Sequence, residues 1–248
     1  HHRGSDGGGE PGLLRWSGNL GPAVSAPLVV VLATGNAGKA REFARLLAGA
    51  CEVRLMPPDV ELPAETAPTF RGNARLKAEA VFAALRGEVA VLADDSGLEV
   101  AALGGRPGIL SARFAGAEAG DEANVAKLLD ELSGRAAREA RFVCSLCLIL
   151  PGPGGVRAGS RVLEVEGFSP GTITLAPRGA DGFGYDPVFQ PDGWTKTLAE
   201  AAPADKDRVS HRGAAARALV ALLADGQAGP HGAGGCEAAG HGAAGHGA

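Results

Sequence analysis

Residues 29–47 read VVVLATGNAGKAREFARLL. Leu28–Ala33 has the length and branching of a buried strand, and Phe43, Leu46 and Leu47 recur at helical spacing across Lys39–Leu47. Between them lie Thr34, Gly35, Asn36, Ala37, Gly38 and Lys39. A strand that hands over to a helix through a small-residue loop is the building unit of an α/β domain. It is also a natural anion site, because backbone N–H groups, the helix dipole and a lysine converge there. The Walker pattern would need Gly at position 33 and Ser or Thr at position 40, and both positions are Ala. The loop therefore lacks the hydroxyl that holds magnesium in a P-loop. Taken alone, it could still be a plain strand–turn–helix junction.

The rest of the chain extends the same unit. Thr69 is placed to cap a helix carrying Phe70, Ala74, Ala78, Val81 and Leu85, and Glu88–Ala93 reads as a strand ending at Asp94. A helix is expected over Asn124–Leu132 and a strand over Arg141–Leu150. Two further strands, Arg161–Glu166 and Thr172–Leu175, are expected to join through residues 168–171. Ser210 caps a last helix that ends near Leu223. Strands alternate with helices, but the hairpin-like middle favours an α/β fold with a mixed sheet flanked by helices.

The chain has 248 residues, of which 28–225 suit one domain. Residues 1–27 and the Gly/Ala/His-rich tail 226–248 are too poor in apolar periodicity to offset their ordering entropy, and read as disordered extensions. A formal net charge of −4 gives no nucleic-acid footprint, and no apolar run approaches the ~18 residues of a membrane span. Cys144 and Cys147 form a C-x-x-C on a strand, where an odd spacing sends the side chains to opposite faces. They read as core thiols in a reducing compartment, most simply the cytoplasm. Because the chain begins with His rather than Met, organellar targeting stays open.

Three more stretches carry chemistry. ADDSG, residues 93–97, puts Asp94 and Asp95 at the expected end of a buried strand, as a cation site or a base for water. GADGFGYDPVF, residues 179–189, offers Phe183 and Tyr185 as flat faces for a nucleobase in a chain only 4% aromatic. Lys206 and the SHRG turn, residues 210–213, set His211 and Arg212 in the first turn of a helix. Cations there oppose the dipole, so an anion or a base edge explains them better than stability does.

These pieces, in this order, resemble the inosine triphosphate pyrophosphatase family, the bacterial-type XTP/dITP diphosphatases. The resembling residues are LATGNAGKAREFARLL, ETAPTFRGNARLKA, ADDSGLEVAALGGRPGILSARFAG, GFGYDP and SHRGAAARAL, spanning about residues 28–223. The resemblance implies an elongated two-lobed subunit with its site in the cleft, a homodimer, Mg²⁺ as cofactor, and cleavage of ITP, dITP and XTP to monophosphate and pyrophosphate. It further implies that Thr34–Lys39 cradle the triphosphate, that Asp95 activates water with Asp94 beside it, and that Glu65 shares the magnesium with Asp95. Ser96, Phe183, Gly184, Tyr185, Asp186, Lys206, His211 and Arg212 would bind substrate, the last two reading the 6-oxo edge. Arg113 and Lys196 are further matching polar positions. Gly72 stands where many relatives carry an acidic residue, which removes one carboxylate from the implied metal set. Two rival readings are a pyrophosphatase for modified pyrimidine nucleotides and a purine nucleotide-binding protein without catalysis.

Overall fold

The computed structural model describes residues 27–227. The expectations for 1–26 and 228–248 lie outside the described residues. The elements are β1 (Leu28–Leu32), α1 (Ala37–Leu46), β2 (Cys51–Leu55), α2 (Phe70–Ala84), β3 (Ala90–Val100), α3 (Asp121–Glu131), β4 (Glu139–Gly152), β5 (Val156–Ile173), β6 (Phe189–Pro191), α4 (Pro203–Val209) and α5 (His211–Gln227), with short 3₁₀ turns between some of them. One six-stranded sheet runs in the order β2-β1-β3-β4-β5-β6. β1 pairs in parallel with β2 and β3, and every later pair is antiparallel, so the expected mixed sheet is present.

The caps expected at Thr69 and Ser210 are present. Thr69 caps α2 by accepting from the Gly72 N–H at 3.0 Å, and Asn36, not read as a cap, does the same for α1 by accepting from the Lys39 N–H at 3.0 Å. Ser210 accepts from the Gly213 N–H at 3.1 Å at the head of α5. Two apolar layers cover the two faces of the parallel half of the sheet. Phe43, Leu47, Leu92, Cys144 and Leu219 pack on one face, and Ala78, Val81, Ala93, Cys147 and Ile149 on the other. The two C-x-x-C thiols thus fall on opposite faces, both buried and free. A third core, with Leu98, Val100, Leu128, Phe142 and Phe189, sits at the far end of the long antiparallel strands.

Two strand expectations are corrected. β3 does not end at Ala93 but runs through the aspartates to Val100. β1 pairs with it only as far as Leu92, whereas β4 keeps antiparallel register from Val91↔Ile149 to Val100↔Ala140 and holds the backbone extended. Likewise, the two strands expected around residues 168–171 are one continuous strand, β5. Pro170 pairs with Arg141, and its carbonyl accepts from Asp192 just past the last β6 pair, Gly171↔Pro191. Its ring nitrogen faces that same side, where no ladder bond is required, so proline is tolerated. β2, β6 and α4 were not anticipated.

Candidate active site

Asp94 and Asp95 lie where β1 stops pairing and before the third core begins, so the edge of β3 opens there into a cleft between two packed regions. Successive strand residues face opposite sides. Asp94 points toward α1 and α5, and Asp95 toward α2.

On the Asp95 side, Lys77 Nζ lies 3.2 Å from Asp95 Oδ1 and 2.8 Å from Glu65 Oε1. Asn73 Nδ2 donates to Asp95 Oδ2 at 3.2 Å, while its Oδ1 accepts from the Ala67 N–H at 2.9 Å and so fixes the segment carrying Glu65. Arg113 donates to Glu65 Oε2 at 3.2 Å. Burial, opposed by Lys77 and reinforced by the Glu65 charge, pushes Asp95 up to about 6. Two carboxylates share one buried ammonium, and Glu65 has Arg113 as a second cation while Asp95 relies on Lys77.

On the Asp94 side, Lys39 Nζ sits 2.8 Å from Asp94 Oδ2, and Ser96 Oγ donates to the same oxygen at 3.2 Å. Burial works against this carboxylate, but Lys39, Arg212 and Lys77 outweigh it and hold it at about 2. Behind it lies a buried charge cluster. Lys206 Nζ is 2.6 Å from Glu42 Oε1 and 2.6 Å from Asp186 Oδ2, and Arg212 donates to Glu42 Oε2 at 3.1 Å and to Ser96 Oγ at 2.8 Å. The Phe183 ring lies against both cations, 4.9 Å from Lys206 Nζ and 4.9 Å from the Arg212 guanidinium carbon. Its backbone N–H donates to Asp186 Oδ2 at 3.0 Å. A Cβ at Gly38 would meet that ring at 2.9 Å, so the glycine lets the phosphate loop and the Phe183 loop touch.

His211 stacks on Phe142, with centroids 4.5 Å apart and 13° between planes. Neither of its ring nitrogens has a hydrogen-bond partner, and burial drives its pKa well below the usual range. Arg212 Nε and Asp94 Oδ1 are also buried without a hydrogen bond. Buried polar atoms left unpaired are costly, so their concentration beside one cleft points to a ligand that completes them.

The cleft is lined by Asn36, Lys39, Glu65, Asp95, Ser96, Phe183, Gly184, Tyr185, Asp186, His211 and Arg212 from the expected set. Asp94 and Lys206 stand behind that surface as partners of lining residues. Thr34 braces the loop by accepting from the Asn36 N–H at 3.1 Å across Gly35, and Ala37 opens α1. Tyr185, expected as a stacking face, is 4% exposed, packs in the third core, and donates its hydroxyl to the Ser111 carbonyl at 2.8 Å. Lys196 is exposed and not among the lining residues. At Gly72 a Cβ would meet that of Ala67 at 2.6 Å, so the tight turn beside Glu65 leaves this position to glycine.

Sequence reasoning missed Asn73, Lys77, Glu42, Asp121 and Asn124. A signal existed for the first two. They fall on the same helical stripe as Phe70, Ala74, Ala78 and Val81, where a polar residue facing the core calls for a partner.

As a metal site, Glu65 and Asp95 offer hard oxygen donors whose mutual repulsion a divalent cation would relieve. Among the described residues no group of three or more His, Cys, Asp or Glu could hold a metal. Two carboxylates completed by water and substrate phosphate are the pattern for a hard cation that binds with its nucleotide. The residues present fit that role.

The model of the Ham1 family matches residues 30–222. The chain is 50% identical over 198 residues to the dITP/XTP pyrophosphatase of Geobacillus kaustophilus, covering 78% of this chain and 91% of that protein. It is also 50% identical over 199 residues to the dITP/XTP pyrophosphatase of Rhodospirillum centenum, covering 77% and 93%. Among solved structures, the Staphylococcus aureus Ham1 protein aligns with a TM-score of 0.67 at 39% identity, over 80% of this chain and 99% of that one. A HAM1 protein from Coxiella burnetii aligns at 0.69 and 34%, with the same coverage.

Proposed function

The chain belongs to the Ham1 family, and from that premise we propose that it hydrolyses deaminated purine nucleoside triphosphates, dITP, XTP and ITP, to the monophosphate and pyrophosphate. Its relatives carry the name dITP/XTP pyrophosphatase over nearly their whole length. One observation carries the reading onto this chain: a single cleft joins a carboxylate pair, a lysine-bearing helix N-terminus and the unpartnered nitrogens of His211.

The α1 N-terminus and Lys39 receive the triphosphate, whose charge displaces Lys39 from Asp94. Asp95 accepts the proton of the attacking water. Lys77 and Asn73 hold that carboxylate in place from α2. Glu65 and Asp95 would hold Mg²⁺, which supplies charge neutralisation on the phosphates. The α–β phosphoanhydride bond breaks and pyrophosphate leaves. Phe183 gives the base a stacking face, while His211 and Arg212 meet its 6-oxo edge. Adenine would present an amino group to those donors and leave them unpaired, a penalty large enough to exclude it.

The subunit works as a homodimer in the cytoplasm. Free, buried Cys51, Cys144 and Cys147 suit a reducing compartment, and no helix among the described residues is long and apolar enough to cross a membrane. The deciding experiment incubates the protein with Mg²⁺ and dITP, XTP, ITP, ATP or GTP and quantifies pyrophosphate and orthophosphate separately. Pyrophosphate from the first three is expected. Orthophosphate as first product would sink the cleavage assignment, and equal rates on ATP would sink the selectivity.

A further inference from the structure

Helix α3 carries none of the motifs above, yet one of its faces is tied to both walls of the cleft. Asp121, Asn124 and Lys127 are spaced by three and share that face. Buried Asn124 accepts from the Ala115 N–H at 2.8 Å and donates to the Ala112 carbonyl at 3.1 Å, and Lys127 Nζ donates to the Phe114 carbonyl at 2.7 Å. These two side chains fix the segment before α3 that also carries Arg113. Asp121, at the first position of α3, reaches the other wall and accepts from the Gly184 N–H at 2.6 Å. The next residue, Tyr185, closes the ring through its hydroxyl on the Ser111 carbonyl at 2.8 Å.

Gly184 is the residue between Phe183 and Tyr185, held at φ 61°, where a glycine is at ease. Tyr185 and Asp186 are anchored by burial and by Lys206. Phe183 is held by its own N–H, which donates to Asp186 Oδ2 at 3.0 Å, and by its ring, which rests on two cations and Gly38; the Asp121 bond fastens the next amide, between Phe183 and the buried Tyr185.

We propose that Asp121 is a positioning residue for purine selection: by holding the Gly184 N–H it sets Phe183 in the orientation that receives the base. The inference rests on the functional reading above. It requires the side-chain oxygen as acceptor and not the charge. The charge has a separate effect, since an acid in the first turn favours the helix dipole. The two roles are separable with two variants of the full chain, Asp121→Ala and Asp121→Asn.

Hydrogen exchange of the 182–186 amides reads the bond directly. In D121A the Gly184 amide is expected to exchange about three- to tenfold faster, and in D121N, which keeps an acceptor, at close to the wild-type rate. In steady-state assays D121A is expected to raise KM for dITP about three- to tenfold with kcat within about twofold, and to narrow the dITP-to-ATP ratio of kcat/KM. D121N should restore both. If both variants lower the melting temperature equally while exchange and KM stay at wild-type values, Asp121 serves only the helix dipole and the proposal falls. A fall in kcat with unchanged KM in D121A overturns it as well. Should the wild-type protein fail to release pyrophosphate from dITP, the functional reading fails, and the exchange measurement still decides whether Asp121 holds the loop.

Discussion

The Glu42 carboxylate and the Arg212 guanidinium meet at 3.1 Å although 170 residues separate them, and both are nearly buried. The same carboxylate also holds Lys206 at 2.6 Å. Burial raises the pKa of Glu42, but the two cations outweigh it and leave a net lowering, so the group is ionised when folded.

Removing this carboxylate leaves two buried cations short of a partner. Glu42→Ala is expected to destabilise the fold by about 3–5 kcal/mol, the usual cost of breaking a buried pair, and Glu42→Gln by less because its amide oxygen still accepts. Urea unfolding midpoints test this, and a midpoint for Glu42→Ala equal to the wild-type value would remove Glu42 from the account of the site.

Asp95→Asn keeps the shape of the side chain and the Asn73 contact but cannot take a proton. A drop in kcat of about 10²–10⁴-fold is expected, with nucleotide affinity measured by calorimetry changing only a few-fold. Full turnover in this variant refutes the assignment of the base.

Phe183→Ala removes the ring that lies on Lys206 and Arg212. Loss of one stacking face should raise KM for dITP on the order of tenfold and leave the affinity for free pyrophosphate unchanged. Parallel loss of both affinities would mean that the ring supports the phosphate loop instead of the base.

Acid stability follows from His211 and Asp94. Buried neutral His211 has a folded pKa well below 6.5, so below that pH the unfolded chain binds more protons and stability falls. Asp94, held at about 2 against 3.8 unfolded, contributes stability that is complete above 3.8 and lost as pH drops through about 2. Asp95, raised to about 6, works the other way as it takes up its proton. The informative quantity is therefore the difference between wild type and His211→Phe, which keeps the stack on Phe142. That difference should grow as pH falls below 6.5, and a difference independent of pH would show that the fold leaves the His211 pKa unshifted.

The sequence by itself determined the elements whose causes are local. Thr69 and Ser210 cap the helices they were expected to cap, because a side-chain oxygen beside the first free N–H groups needs no distant partner. The C-x-x-C thiols face opposite ways because strand periodicity requires it. The absence of a P-loop was legible at Ala33 and Ala40, and the motifs around Asp95 and Arg212 marked where chemistry would gather. Only the tertiary structure decided how those motifs are wired. β3 continues through Asp94 and Asp95 because β4, fifty residues away in the chain, supplies its ladder. Lys77, Glu42 and Asp121 enter the site through contacts that span 18, 170 and 63 residues. Residue spacing encodes neighbours along a helix or strand, whereas a buried ion pair across the sheet exists only once packing has brought its two ends out of water together.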